Sequence, residues 1–316
     1  MKKTKLLLLL PFLALAVTGC DPDKGKIKIG ICQLITHDAL DAATKGFMDA
    51  VKEGLGADKV KFDLQNAAGD SAACATISNS FVSKNVDLIM ANATPALIAA
   101  ANSTTTIPIL GTSITEYGTA LGISDFSGTV GGNISGTSDL APLDEQAQML
   151  VDVFPTATKV GLLYCSAEAN SLYQVQVVEQ ELQSKGLTTT RMSFADSNDI
   201  SSVLNGNINN IDVLYIPTDN TAASCTSVIN AVCSSHNVPV VAGEEGLCKG
   251  CGAVTLSISY YNLGVKTGQM AVEILKDGKD ISKMPIAYDE HPVKKYNPEI
   301  CDALGITVPE GYVPVE

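Results

Sequence analysis

From residue 27 onward, short apolar runs of β type alternate with stretches whose apolar residues recur at helical spacing, and this alternation leaves few folds open to the chain. Such a series builds parallel βαβ units, because parallel neighbours need a crossover long enough to hold a helix. Residues 27–34 read as the first strand. Residues 38–55 set Ala39, Ala43, Phe47, Ala50 and Val51 on one helical face and meet Gly54 and Gly56, a helix with its stop. The cycle repeats as strand 60–65, helix 71–83, strand 86–91, helix 95–103 and strand 107–110. A helix over 143–153 opens a second series: strand 159–164, helix 170–185, strand 188–193, short helix 200–205, strand 213–216, helix 221–235, and strands 238–242 and 253–258. Each series predicts its own doubly wound sheet, so the class is α/β with two domains, as a chain of 316 residues allows. Because a further helix over 260–276 and an extended tail over 281–312 follow, neither half need be continuous in sequence.

The first residues stand outside this pattern. Lys2, Lys3 and Lys5 precede an apolar run over 6–17, which is shorter than the roughly 20 residues of a bilayer-spanning helix. It reads as a signal peptide over 1–19. The following Cys20 has the context of a bacterial lipoprotein processing site, with 20–25 as a polar, lipid-anchored linker. Removing the leader with its three lysines takes the net charge from −13 to −16, which argues against nucleic acid or an anionic membrane surface as an electrostatic partner. Outside the membrane thiols can oxidise, yet the cysteines are irregularly spaced and only Cys248 and Cys251 lie close together. That pair fits free thiols or a local disulfide; a metal site would need more ligands nearby, and none is expected.

In open α/β sheets ligands bind beyond the carboxyl ends of the strands, which directs attention to the loops there. The first half offers the loop from Gln33 to Asp38, then Asn92-Ala93-Thr94-Pro95-Ala96, then Gly111-Thr112-Ser113. The second half offers Ser166 to Ser171 with Asn170, then Thr218-Asp219-Asn220, then Gly243-Glu244-Glu245-Gly246. Thr94 at an N-cap with Pro95 in the first turn would leave the N–H groups of Ala96 and Leu97 free for an anion, or would simply cap the helix. Asp219 would cap the next helix or face the cleft and pair with an ammonium. An anion site in one half and carboxylates in the other complement a zwitterion, which suggests an amino acid. Tyr260, at a helix start, serves as core or as an aromatic wall.

Catalytic signatures do not assemble. His37-Asp38 has no Gly-x-Ser-x-Gly elbow to serve, and the adjacent Glu244 and Glu245 point to opposite faces of an extended segment. Gly128-x-x-Gly131-Gly132 lacks the Gly-Lys-Ser/Thr ending of a phosphate loop. The expectation is a binding protein with no enzymatic activity and no cofactor.

Several segments together resemble one family, the substrate-binding lipoproteins of ABC transporters of the tryptophan/tyrosine-binding type. They are Ile29-Gly30-Ile31-Cys32-Gln33-Leu34 with His37, Ala93-Thr94-Pro95-Ala96, Gly136-Thr137-Ser138-Asp139, Ser166 to Ser171, Tyr215 to Asn220, Gly243 to Gly246, and Tyr260-Tyr261-Asn262-Leu263-Gly264. The resemblance implies a type I periplasmic-binding-protein architecture: two Rossmann-like lobes, three hinge crossings, and a ligand enclosed as the lobes close. It implies one lobe of 26–140 with 259–286 and another of 141–258 with 287–316. It also implies that Thr94 with neighbouring amides, and Thr112 or Ser113, hold the ligand carboxylate, and that Asp219 holds the ammonium. Gln33, Ser166, Asn170, Asn220 and Glu244 would complete the polar shell. The implied protein is a monomer, lipid-anchored outside the cytoplasm, that delivers an amino acid, aromatic in this type, to an ABC permease. Two alternatives use the same fold: sensing ligand for a receptor kinase, or binding a non-aromatic amino acid or other small solute.

Overall fold

A computed structural model describes residues 23, 25–289 and 291–315; the leader and Cys20 lie outside the described residues. The chain opens with β1 (Ile27–Gln33), α1 (Asp38–Leu55), β2 (Val60–Asn66), α2 (Ser71–Ser83), β3 (Leu88–Asn92), α3 (Thr94–Ser103), β4 (Ile109–Ile114), α4 (Tyr117–Leu121) and β5 (Ile134–Ser138). Their strands form a parallel sheet in the order β2-β1-β3-β4-β5. There follow α5 (Leu143–Val153), β6 (Lys159–Cys165), α6 (Ala169–Ser184), β7 (Thr188–Phe194), α7 (Ile200–Asn207), β8 (Val213–Ile216), α8 (Asn220–Ala223), α9 (Thr226–Ser235), β9 (Val240–Ala242), α10 (Glu245–Cys251) and β10 (Val254–Ser257). These strands make a second parallel sheet, β7-β6-β8-β9-β10, wound in the same order as the first. In each, strand order reverses beside the first strand, which leaves a crevice at the carboxyl ends.

The rest of the chain completes both sheets. After β10, α11 (Tyr260–Leu275) packs on α1, and β11 (Ala287–Tyr288) pairs in parallel with β5. Then β12 (Val293–Tyr296) pairs antiparallel with β10, and after α12 (Pro298–Leu304) the edge strand β13 (Val313–Pro314) pairs with β12. The chain therefore passes between the sheets three times, at β5 to α5, at β10 to α11 and at β11 to β12. Ala287 and Tyr288 belong to the first sheet, so the third passage begins just beyond the boundary at 286 read from the sequence.

Each sheet is covered on both faces, which is why its central strands are apolar throughout. Ile29, Ile31, Leu88 and Met90 meet Phe47 and Val51 of α1 and Met270 and Ala271 of α11. On the opposite face Ile89 and Ala91 meet Phe81 of α2 and Leu97 and Ala100 of α3. In the second sheet Leu162 and Tyr215 pack on Leu150 of α5 and Val175 of α6, while Leu163 and Leu214 pack on Leu204, Ile229 and Leu247. Two glycines set the closeness of α1 and α11. A Cβ at Gly46 would lie 2.1 Å from the Tyr261 carbonyl oxygen, and one at Gly264 would lie 2.0 Å from that of Ala43.

Several elements differ from the sequence reading. Strand β5 was not expected, because Ser135, Thr137 and Ser138 carry no apolar pattern; they are buried with hydroxyl partners, Ser135 on the Met284 carbonyl and Thr137 between Thr112 and Thr267. The helix read over 221–235 is broken into α8 and α9. The 245–251 segment is helical, started by the Glu244 carboxylate accepting from the Gly246 and Leu247 N–H groups. Inside the tail read as extended, Asn297 caps α12 with Pro298 in its first turn and Gly305 closes it in the left-handed region. The eight cysteines from Cys32 to Cys301 are free thiols, Cys248 and Cys251 included.

Candidate functional site

The carboxyl-end loops of the two sheets face each other and close around a narrow cavity. From the first sheet's side come His37 and Leu40 at the start of α1, Ser113 and Thr115 at the end of β4, Asp139 just after β5, and Tyr260 opening α11. From the second come Asn170 of α6, Thr218, Asp219, Asn220 and Ala223 around the β8–α8 turn, and Glu244. No lysine or arginine is among these lining residues.

Local structure aims these groups. Pairing of β4 with β5 slips between Gly111 and Ile114, and there Ser113 takes φ of +56°, a left-handed conformation that turns its side chain toward the cavity rim. Glu168 is a hub beneath the lobe-two loops. Its carboxylate accepts from the Asn220 and Thr221 N–H groups, the Asn220 and Asn170 amides and the Thr221 hydroxyl. Gln174 binds the Thr218 hydroxyl (2.5 Å) and N–H. With these donors committed, Asn170 and Asn220 can present only their carbonyl oxygens elsewhere.

The hydrogen bonds divide the cavity's polar atoms into two kinds. Asp219 has a partner on each oxygen, accepting from the Ala222 and Cys165 N–H groups at 2.8 and 2.6 Å. Glu244 likewise has a partner on each oxygen, as the cap of α10. By contrast, His37 Nδ1, Ser113 Oγ, Asp139 Oδ1 and Asn170 Oδ1 are buried with no hydrogen-bond partner. Leaving such a group unpaired costs about 1–3 kcal/mol, so four around one small cavity mark a place shaped for something else. Burial pushes the Asp139 carboxyl up to about 6, against the pull of the Tyr260 and Thr115 hydroxyls. It pushes Asp219 up to about 7, helped by the nearby Glu168 charge, and Glu244 to about 7. Burial lowers His37 below its usual value, offset in part by Asn220 and Glu168.

Of the residues singled out in the sequence, Ser113, Asn170, Asp219, Asn220, Glu244 and Tyr260 line this cavity. Gln33 instead bonds Asp41, Thr44 and the Ile35 carbonyl; Thr112 bonds Thr137; Ser166 bonds the Phe194 carbonyl. Thr94 and Pro95 line a different hollow, between α2, α3 and the loop at Ala167 and Ala169, and Ala96 is fully buried. The capping expected at Thr94 is shifted by one residue: Ala93, at φ of +90°, is the N-cap, and the Leu97 N–H is taken by the Ala93 carbonyl. Tyr260 joins the wall with its phenol on Asp139 Oδ2 (2.8 Å), whereas Tyr261 is partly exposed and bonds Asp49. Sequence reasoning did not place His37, Leu40, Thr115, Asp139, Thr218 and Ala223 in the wall. Thr218 and His37 sit in loops already marked; Asp139 follows a strand without an apolar signature.

The rims touch. His37 Nε2 donates to Asn220 Oδ1 (3.2 Å), Thr115 and Thr218 hydroxyls lie 3.5 Å apart, Gln174 reaches Thr115 (3.4 Å), and Lys249 approaches Asp38 (3.9 Å). This is a closed arrangement. Among the described residues no group of three or more His, Cys, Asp or Glu is placed to hold a metal, and no helix is long and apolar enough to cross a membrane.

Two doubly wound sheets joined by three passages, with a polar cavity between their rims, define a binding protein of the type I periplasmic fold. Residues 28–313 match the model of the ABC transporter substrate binding protein family, and the chain belongs to it. Members of this family bind solutes outside the cytoplasm and are not an enzyme family. Among similar proteins, a tyrosine-binding protein of Clostridioides difficile is 34% identical over 265 residues, 83% of this chain and 76% of that one. An ABC domain from Streptococcus pneumoniae, solved in complex with L-Trp, is 30% identical over 91% of this chain and 99% of its own, with a TM-score of 0.86. A ligand-free, open substrate-binding protein of Clostridium difficile is 34% identical over 92% and 99%, yet has a TM-score of only 0.69. The better fit to the liganded protein, despite its lower identity, agrees with the closed rims.

Proposed function

We propose that this protein captures an amino acid with an aromatic side chain between two lobes and hands it to the membrane permease of an importer. The lobes comprise 26–140 with 259–286 (extended to Tyr288 by β11) and 141–258 with the remainder of 287–316. The mature chain is a monomer held to the membrane by lipid on Cys20. Ser113, Asn170, Asp219, Asn220, Glu244 and Tyr260 surround the ligand. The observation that carries the reading is the enclosed cavity whose wall holds four buried polar atoms without partners. The names of the Clostridioides and Streptococcus relatives support an aromatic ligand.

A thermal-shift screen of the twenty amino acids on the mature chain tests it, since a ligand of the folded form raises the midpoint. An aromatic amino acid is expected to give the largest shift; no shift from any amino acid would overturn the reading. The chain contains no tryptophan, so indole emission from the purified protein would come from bound tryptophan alone. Labelling with a radioactive lipid precursor, lost in Cys20→Ala, checks the anchor.

A further inference from the structure

The cavity's open groups say which end of a ligand is held by charge, and where. Three carboxyl groups line it, and in two of them each oxygen already accepts a backbone N–H. Asp219 is occupied by two backbone N–H groups, and Glu244 by two more. Asp139 differs. Its Oδ2 accepts from the Tyr260 phenol, while Oδ1 has no partner in a residue only 5% exposed. The Thr115 hydroxyl beside it accepts from Gln174 and lies 3.5 Å from that of Thr218.

The remaining open atoms are acceptors as well. Asn170 Nδ2 points to Glu168, Ser171 and the Thr218 carbonyl, which leaves Asn170 Oδ1 as the unpaired atom. Asn220 Nδ2 is fixed on Glu168, so its Oδ1 must receive a proton from His37 Nε2. The neutral imidazole then carries a bare lone pair on Nδ1, which is buried and unpartnered. Three open acceptors stand against one open hydroxyl, that of Ser113, with no lysine or arginine in the wall. A primary ammonium supplies three N–H donors and a positive charge, and it matches that set.

We infer that Asp139, not Asp219 or Glu244, is the ionic partner of the ligand's ammonium, with Asn170 Oδ1 and His37 Nδ1 as further acceptors; this rests on the amino-acid reading above. Asp139 lies on the first passage between the sheets, and Tyr260 directly follows the second. The ammonium would thus be received at the hinge itself, with the phenol holding Asp139 in place. Asp219 is left as a positioning residue that shapes the β8–α8 turn.

Affinities for L-tyrosine, tyramine and 3-(4-hydroxyphenyl)propionate test this in the wild type and in Asp139→Asn. The wild type should bind tyramine more tightly than the des-amino acid. Asp139→Asn should lose about 100-fold for L-tyrosine and for tyramine, the scale of removing one partner of a buried charge pair, with the des-amino acid unchanged. Equal wild-type affinity for L-tyrosine and its des-amino analogue would overturn the assignment without needing any variant to fold. So would an Asp139→Asn protein, native by circular dichroism, that binds L-tyrosine within threefold of wild type. If the wild type binds tyrosine and no other result holds, only this assignment fails; if the wild type binds none of the twenty amino acids, the amino-acid reading fails with it.

Discussion

Three buried carboxyls in one cavity make the ligand-free protein sensitive to pH in a direction opposite to the usual one. Asp139 is raised to about 6 and Asp219 and Glu244 to about 7, so the folded chain keeps protons that the unfolded chain has already lost. Stability therefore rises as pH falls through the window from about 7 down to the ordinary carboxyl range near 4. His37 works against this, because its lowered value makes the folded form shed a proton that the unfolded form holds below 6.5. With three groups against one, the midpoint without ligand should be higher near pH 5.5 than near pH 8, by the equivalent of about 1 kcal/mol or more. Calorimetry in matched buffers checks it, and a midpoint that climbs with pH would mean that these groups are ionised in the cavity. Glu168 offers a second check. Five donors converge on it, so Glu168→Ala should cost about 2–4 kcal/mol in urea unfolding and loosen ligand binding through Asn170 and Asn220. Full affinity in that variant would show that the loops hold their shape without the hub. The sequence marked the segments that carry Asp139 and Glu168 but gave neither residue a role, and only the fold reveals which of their oxygens already have partners.

At the level of elements, the repeating strands and helices were legible wherever apolar spacing carried them, as in β1, α1, β3 and β6. They were not legible where burial is satisfied by hydroxyls, as in β5, or where a helix is short and started by an unusual cap, as Glu244 starts α10. The signals for α12 were present in Asn297, Pro298 and Gly305, but the surrounding tail masked them. In the site, the β8–α8 turn and the Glu244 loop were recoverable because they follow apolar strands. The α3 start was misplaced by one residue because Ala93 takes a conformation rarely open to alanine. The close contact of α1 with α11 gives an element-scale test. Gly264→Ala would drive a Cβ into the Ala43 carbonyl, and overpacking of that kind costs about 1–3 kcal/mol. A midpoint lower by about 5 °C is expected, and an unchanged one would show that the helices can separate freely.

Across the whole molecule, closure rests on few polar contacts between the rims, and the one ion pair among them in the described residues, Lys249 with Asp38, joins exposed side chains at 3.9 Å. Such pairs contribute about 0–1 kcal/mol, so the closed form should depend on ligand to dominate. Small-angle scattering should then show a smaller radius of gyration with ligand than without it. An identical radius in both would mean that the lobes stay shut on their own. The α/β class and the pair of doubly wound sheets could be read from the alternation, because parallel sheets announce themselves locally. How the two sheets share the chain could not, since pairings such as β11 with β5 join residues about 150 apart.

That sharing governs when the protein can finish folding. The first sheet lacks its covering helix α11 and its edge strand β11 until residue 288 has been made, and the second lacks β12 and β13 until the final stretch. Neither lobe can mature as an independent early unit, and the pairings that complete both are long-range, the kind that slow folding most. A chain truncated before β11 should accordingly leave both halves open at an edge, and a newly made chain should remain pliable until nearly its last residue has emerged.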